Sequence, residues 1–390
     1  MSEWQYVPAG KIARQRREIV HLEPGIEYRT MGVRWYGKGA YDRGVVTTET
    51  VKAKSLYQAR EGDFTFNRID THKGAFDVVS ADLDGALATN EFPLYEVNEE
   101  DVDARFLLLN FQQPEVLRQI SAMRAGSEGR ARWKEADFEA WMVPVPPLSA
   151  QERIVDIISV IDAQASALNV EASSLLRVRD AALGDMLSHG GEGWRSAPLA
   201  ETGTLTRGRR FVKSDYVDSG LGCIHYGQIY TDYGASATRT MTYLPESFRG
   251  SMRLARPGDV VIAGTSENVE DVGKAVAWLG DDDVAVHDDC FIFRHNLDPK
   301  FVSYFFASPL FQHRKRQFTS ETKVVRISAT NLAKIIIPVP PRDDQKRISE
   351  MAEAVDMQVI ALHTEAERLR EVRAGLLAGL LNRTIDIESA

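Results

Sequence analysis

Two stretches of the chain carry the same alternation of apolar and polar positions. Apolar residues fall at Ile154, Ile158, Ile161, Ala165, Leu168, Ala172 and Leu175, and again at Ile348, Ala352, Val355, Val359, Leu362, Ala366 and Leu369, in steps of 4, 3, 4, 3, 4 and 3 both times. This spacing predicts two long helices, each with a heptad seam. A helix of about 38 residues is roughly 57 Å long, more than a domain of about 140 residues covers on one face, so the two helices are expected to pair with each other. Each follows a proline-rich lead-in, Val143-Pro-Val-Pro-Pro147 or Ile337-Pro-Val-Pro-Pro341. Prolines end a strand but do not sit inside a helix. Ser149 with Glu152 reads as a capping box, and in the second copy Asp343 keeps the cap while Lys346 replaces the glutamate.

Both lead-ins open an ungapped internal repeat. Val143–Leu187 and Ile337–Leu381 share 18 identities in 45 positions, among them Gln151/Gln345, Arg153/Arg347, Asp162/Asp356, Glu171/Glu365 and Arg179/Arg373. Ordinary residue usage would give roughly three by chance. The segments between the helices are rich in short strands and share landmarks. Arg60-Glu-Gly-Asp63 leads into Phe64-Thr-Phe66 as Arg256-Pro-Gly-Asp259 leads into Val260-Val-Ile262, each reading as a turn into a buried strand. Asp103–Leu107 parallels Asp298–Val302, and Pro114 parallels Pro309. The organisation is a domain over 1–142, a helix over 143–191, a domain over 192–336 and a helix with a tail over 337–390.

Composition narrows the class. With 390 residues, 44% hydrophobic and 26% charged, the chain is ordinary globular material. Its N-terminus has no basic-then-apolar leader. The longest apolar stretches, such as Ile335–Pro341, fall far short of the roughly 18 residues of a membrane span. Two cysteines, Cys223 and Cys290, frame no disulfide or metal scaffold. A soluble, cytoplasmic protein with no membrane partner is expected. The net charge of −9 hides local sums: Lys11–Lys73 holds 13 basic against 8 acidic residues, whereas Asp82–Asp103 holds eight acids and no base. In the second half Arg314, Lys315, Arg316, Lys323 and Arg326 stand against Glu321 alone.

Enzyme motifs are missing. The only Pro-Pro pairs precede Leu148 and Arg342, so no adenine-methylase Pro-Pro-aromatic tetrad is present. Gly37-Lys-Gly39 and Gly220-Leu-Gly222 lack the third glycine of a dinucleotide fingerprint, and Gly273-Lys274 lacks the rest of a P-loop. Adjacent Asp288 and Asp289 would point apart in a strand, so no metal site is expected. A coiled-coil adaptor whose two modules bind proteins fits the heptads and the acidity, and an enzyme with an unrecognised hydrolytic site is a further alternative.

The doubled Pro-Val-Pro-Pro with its Gln-x-Arg-Ile helix start (Gln151-Glu-Arg-Ile154, Gln345-Lys-Arg-Ile348) and the Gly-Asp turns at Asp63 and Asp259 resemble the specificity (S) subunit of Type I restriction-modification systems, over nearly the whole chain. Met31–Gly39, Gly62–Arg68 and Asn90–Pro93 also look like one common recognition-domain subtype. The resemblance implies an α+β fold: two mixed α/β target recognition domains separated by two long helices that form an antiparallel coiled coil, with an internal pseudo-twofold repeat. It implies that each domain reads half of a bipartite double-stranded DNA target and that the chain performs no chemistry. It further implies two methylase subunits as partners, which hold the S-adenosylmethionine that this chain lacks, and restriction or translocase subunits.

Bases are read mainly by Arg, Lys, Asn and Gln, and phosphates by any cationic or hydrogen-bonding group. In the first domain the candidate readers are Arg34, Trp35, Tyr36, Lys38, Tyr41 and Arg43, bracketed by glycines, with Asn67, Arg68, His72 and Lys73 after the Gly-Asp strand. Arg124, Arg130, Arg132 and Lys134, with Lys323 and Arg326 as their counterparts, read as phosphate clamps. In the second domain Arg207, Arg209, Arg210 and Lys213 form a basic opening, and His225, Tyr226, Gln228, Tyr230, Thr265, Ser266 and Asn268 offer donors and acceptors.

Overall fold

Both proline-rich lead-ins are strands. Met142–Val145 pairs antiparallel with Gln5–Pro8, and Ile336–Val339 pairs the same way with Arg195–Pro198, so the start of each domain is latched to its exit. In this computed structural model, which describes residues 4–124, 131–319 and 324–387, the chain divides into two units, Met1–Ala167 with Glu365–Ala390 and Leu168–Thr364. Each unit therefore takes one part of each long helix.

Both units use the same plan. In unit 1 a four-stranded antiparallel sheet runs Ala13–Arg16, Leu94–Val97, Phe64–Phe66, Phe76–Val78; in unit 2 the order is Gly203–Arg207, Cys290–His295, Val260–Ala263, Ala275–Trp278, with Ser236–Ala237 added at the edge. A second sheet follows in each, and in each one pair of its strands is parallel, Tyr28–Val33 with Leu87–Ala88 and Leu221–Ile224 with Val284–Val286. The Gly-Asp turns lead into the sheets where their sequence predicts. Gly62 and Gly258 take φ of 83° and 92°, a left-handed backbone open to glycine. The buried carboxylates of Asp63 and Asp259 accept the backbone N–H of Arg60 (3.0 Å) and Arg256 (2.8 Å) and pair with Arg16 (2.9 Å) and Arg294 (2.6 Å). Each turn is thus tied to another strand of its sheet, which gives the motif a structural role.

The long helices span Leu148–His189 and Arg342–Leu381, longer than the seam alone suggests. They start one residue before Ser149 and Asp343, so neither residue caps. The carbonyl of Pro147 accepts the N–H groups of Ala150 and Gln151, and that of Pro341 those of Asp344 and Gln345. The repeated glutamines then fasten each helix to its domain. Gln151, fully buried, accepts from Asp103 N (2.9 Å) and donates to the carbonyls of Asp101 (3.0 Å) and Pro146 (2.8 Å); Gln345 accepts from Asp298 N (2.7 Å) and donates to Pro340 (2.8 Å). Asp103 and Asp298 in turn cap the helices Ala104–Phe111 and Pro299–Ala307.

The helices pair antiparallel. In unit 1 Arg373 Nε donates to Asp162 (2.6 Å), and Ile154 and Ile158 share a core with Leu377 and Leu380; in unit 2 Arg179 pairs with Asp356, Asn169 meets His363, and Leu183 and Leu187 share a core with Ile348 and Ala352. The two ion pairs are the same pair met from opposite copies of the repeat. Every seam position is buried or half-buried: Ile154, Ile158, Ala165, Ala172, Ile348, Ala352, Val359 and Ala366 are buried, and Ile161, Leu168, Leu175, Val355, Leu362 and Leu369 are half-buried. The seam continues past the predicted positions, beyond Leu175 and Leu369 to Leu183, Leu187, Leu377 and Leu381. The sequence carries a signal for this extension, since Leu183/Leu377 and Leu187/Leu381 are identities of the repeat. No helix among the described residues is long and apolar enough to cross a membrane.

Candidate nucleic-acid interface

In unit 1 the first candidate cluster is the tip of a hairpin between Tyr28–Val33 and Ala40–Val46. The tip closes through Arg34 N to Gly39 O (2.9 Å) and Lys38 N to Trp35 O (3.2 Å), with positive φ at Tyr36 (56°) and Gly37 (65°). Positive φ costs a residue with a Cβ about 1–2 kcal/mol. The tip docks on the short turn Thr71–Lys73, since Tyr36 N donates to Lys73 O (2.7 Å) and Gly37 N to Gly74 O (3.2 Å). The Lys73 ammonium lies 3.9 Å from the centre of the Trp35 ring, and the Arg34 guanidinium 4.1 Å from that of Tyr41. Arg34, Trp35, Tyr36 and Lys38 are exposed. The structure thus joins Arg34, Trp35, Tyr36, Lys38, Tyr41, His72 and Lys73 into one basic and aromatic surface.

Other candidates of this unit are engaged within the protein. Asn67 Oδ1 accepts Ile69 N (3.0 Å) in a side-chain turn. Arg68 donates to Asn90 O (3.2 Å) and lies 3.5 Å from Glu135. Arg43 lies back across Gly32 with its guanidinium 6.0 Å from the Phe92 ring centre. In the clamp set Arg132 forms a forked pair with Glu91 (2.8 Å at Nη2) and Arg124 donates to Ala131 O (2.9 Å). Lys134 is exposed, and Arg130 and Lys323 lie outside the described residues. Burial, with Arg124 and Lys73 nearby, lowers the His72 pKa.

In unit 2 the polar candidates largely satisfy one another. His225 caps the helix Tyr226–Thr231: its ring Nδ1 accepts Gly227 N (3.2 Å), and its backbone N–H donates to Gln228 Oε1 (2.9 Å). Gln228 also donates to Thr242 Oγ1 (3.1 Å), and Tyr230 OH to Thr265 O (2.6 Å). Ser266 Oγ accepts Asn268 N (3.3 Å), and Asn268 and Asp271 bond reciprocally at 2.7 Å. Tyr226 packs on His225, ring centres 4.4 Å apart. By contrast Arg209, Arg210 and Lys213 are exposed and make no side-chain hydrogen bond or ion pair among the described residues. Arg207, Thr265 and Arg326 meet in a cleft with Asp288 and Asp289. The basic window is also thinner than its sequence suggests. Lys315 is fully buried and donates to Glu270 O (2.8 Å) and Val272 O (2.7 Å), and burial pushes its pKa down to about 8.

Asp288 and Asp289 lie in a turn, not a strand, and flank His287. Both His287 ring nitrogens are engaged: Nδ1 accepts Asp289 N (3.1 Å), and Nε2 lies 3.1 Å from Phe211 O. Burial holds His225 and His295 neutral at pH 7. Burial lowers each to a pKa of about 4, helped at His225 by the neighbouring His287. With the unfolded value near 6.5, the unfolded chain binds more protons between pH 6.5 and 4, so stability is complete above 6.5 and falls as the pH drops through that window. Urea unfolding at pH 7 and pH 5 should show this loss. His295→Asn, whose oxygen can replace Nδ1 as acceptor for Leu297 N (3.1 Å), should reduce it.

The comparisons with known proteins agree with this architecture. A chain in a solved type I R-M system superposes with a TM-score of 0.62 over 98% of both chains at 20% identity, a likeness of fold. The MjaVIII specificity subunit of Methanocaldococcus jannaschii is 22% identical over 273 residues, 65% of this chain and 64% of that subunit. The EcoKI specificity subunit of Escherichia coli is 24% identical over 201 residues, 49% of this chain and 43% of that subunit. The matches thus span less than two thirds of either relative. The model of the Type I restriction modification DNA specificity domain matches twice, at residues 3–174 and 192–372, and with both repeats covered the chain belongs to that family.

Proposed function

We propose that this chain reads a bipartite sequence in double-stranded DNA for a Type I restriction-modification assembly, one half-site per recognition domain. One observation carries the reading: the specificity domain occurs twice, and each copy has its own core and its own group of exposed cations beside aromatic or hydrogen-bonding side chains. In the first domain Arg34 and Lys38 are the base readers, with Lys73 and Lys134 on phosphates; in the second Arg209, Arg210, Lys213 and Arg326 supply the charge. Methyl transfer belongs to two methylase subunits that hold S-adenosylmethionine, and restriction subunits join the same assembly. The adaptor alternative gives no reason for cations to gather on aromatic loops.

The test is duplex binding by the full chain with its methylase subunits. Affinity should fall steeply as salt rises, because phosphate contacts release counterions. Arg34→Ala should weaken discrimination at particular bases by about 1–3 kcal/mol. The chain alone should give no calorimetric signal with S-adenosylmethionine. Salt-independent binding, or cofactor binding by the isolated chain, would sink this reading.

A further inference from the structure

The hairpin tip of unit 1 breaks a local rule. Positive φ at both central positions, with Lys38 N donating to Trp35 O (3.2 Å), makes Trp35-Tyr36-Gly37-Lys38 a type I′ turn. Such turns take Asn-Gly or Asp-Gly, because Asn and Asp adopt the left-handed region readily and a bulky side chain does not. Here Tyr36 fills the first central position at φ 56°. Packing does not account for it. Tyr36 is 72% exposed, its hydroxyl has no hydrogen-bond partner among the described residues, and its ring meets only the edge of Trp35, itself 45% exposed, at 6.3 Å.

The backbone beneath is overdetermined. Tyr36 N and Gly37 N are bound to the Thr71–Lys73 turn and its following glycine, and Ala40 N donates to the carboxylate of Asp77 at 2.5 Å. Gly39 leaves no room for a side chain, since a Cβ there would meet Asp77 Oδ2 at 2.5 Å. Strain held by its surroundings on an exposed bulky side chain marks a functional position. The charge around it selects the occupant: Lys73 lies over the Trp35 ring, Arg34 and Lys38 are exposed on the same tip, Asp70 is taken by Lys73 (3.0 Å), and Asp42 is taken by Arg29 (2.7 Å).

The geometry points to a DNA wedge: Tyr36, backed by Trp35, enters the base stack of the half-site read by unit 1 and unstacks one step, while the flanking cations hold the phosphates. This rests on the DNA-reading function proposed above. Apolar and aromatic wedges gain contact at the expense of stacking, so the cost depends on the step opened and the wedge reads sequence without a hydrogen bond. Among the described residues unit 2 has no equivalent tip, since its corresponding connection forms the helix Tyr226–Thr231.

The test uses the full chain with its methylase subunits. The duplex carries the sequence found methylated in host DNA, with 2-aminopurine, which brightens on leaving the stack, placed in turn along the half-site of unit 1 at every position except the methylated adenine, which the methylase subunits themselves flip out. Wild type should brighten at one step, and Tyr36→Phe should match it, because stacking needs the ring and not the hydroxyl. Tyr36→Asn creates the favoured Asn-Gly turn, so its thermal stability should equal or exceed wild type while the signal vanishes and affinity falls about tenfold. That opposition separates a wedge from a structural residue. Tyr36→Asn with signal and affinity intact, a Tyr36→Phe as impaired as Tyr36→Asn, or specific wild-type binding without brightening would each overturn the wedge alone. A wild-type complex that cannot tell the methylated sequence from a scrambled duplex would overturn the DNA-reading function itself, and the wedge with it.

Discussion

Exchanging residues 1–142 for the corresponding segment of a relative is expected to change one half of the methylated sequence completely and leave the other half as it was. Unit 1 owns an aromatic core of Phe64, Phe66, Phe76, Phe111, Trp133 and Phe138, in which neighbouring ring centres lie 5.1 to 6.5 Å apart, and no described residue of unit 2 belongs to it. The junction has a condition. That core also takes in Val143, Ile154, Val155 and Ile158 from the exit strand and the first helix, with Leu377, Leu380 and Leu381 from the second. A donor segment must therefore present an apolar surface of similar volume to these residues, since cores tolerate volume-conserving exchange far better than overpacking. Mapping methylated adenines in cells carrying the hybrid decides the matter. A change in both halves would mean that readout is shared between the domains.

The repeat and the heptads make the helices legible because pairing leaves a periodic mark that survives divergence, and the doubled Gly-Asp motif marks two equivalent strands for the same reason. The candidate site is less legible. A basic residue in a sequence does not show its partner, and Arg132, which reads as a clamp, turns to Glu91, 41 positions away. Lys315 looks like surface charge in a basic window, yet its ammonium is inside, holding the carbonyls of Glu270 and Val272. His225, Gln228 and Asn268 stand out for hydrogen-bonding capacity, which the fold uses for a helix cap and a turn. The Trp35-Tyr36 tip is visible as composition, but its strained turn shows only in the backbone.

The helix pair gives the second large effect, and burial says which substitution isolates it. Ile158→Asp would place a carboxylate in the core of unit 1 and unfold the domain along with the pair, because Ile158 is 1% exposed and shares that core with Leu377. Leu362 is a cleaner choice. It is half-buried, belongs to no domain core, and lies between the anchors Arg179–Asp356 and Asn169–His363 in a register that sets it opposite Ala172. The short side chain of Ala172, fully buried, lets the backbones approach and leaves little room for water around a charge. Leu362→Asp removes apolar contact and adds an ion with no cationic partner in the seam, a loss of about 2–4 kcal/mol in the helix pair. The domains keep their cores, so circular dichroism should retain the strand signal while the first thermal transition moves down. Methylation should fail at the intact bipartite sequence, since both half-sites must be held at one spacing. Unchanged melting together with normal methylation would show that the seam does not set that spacing.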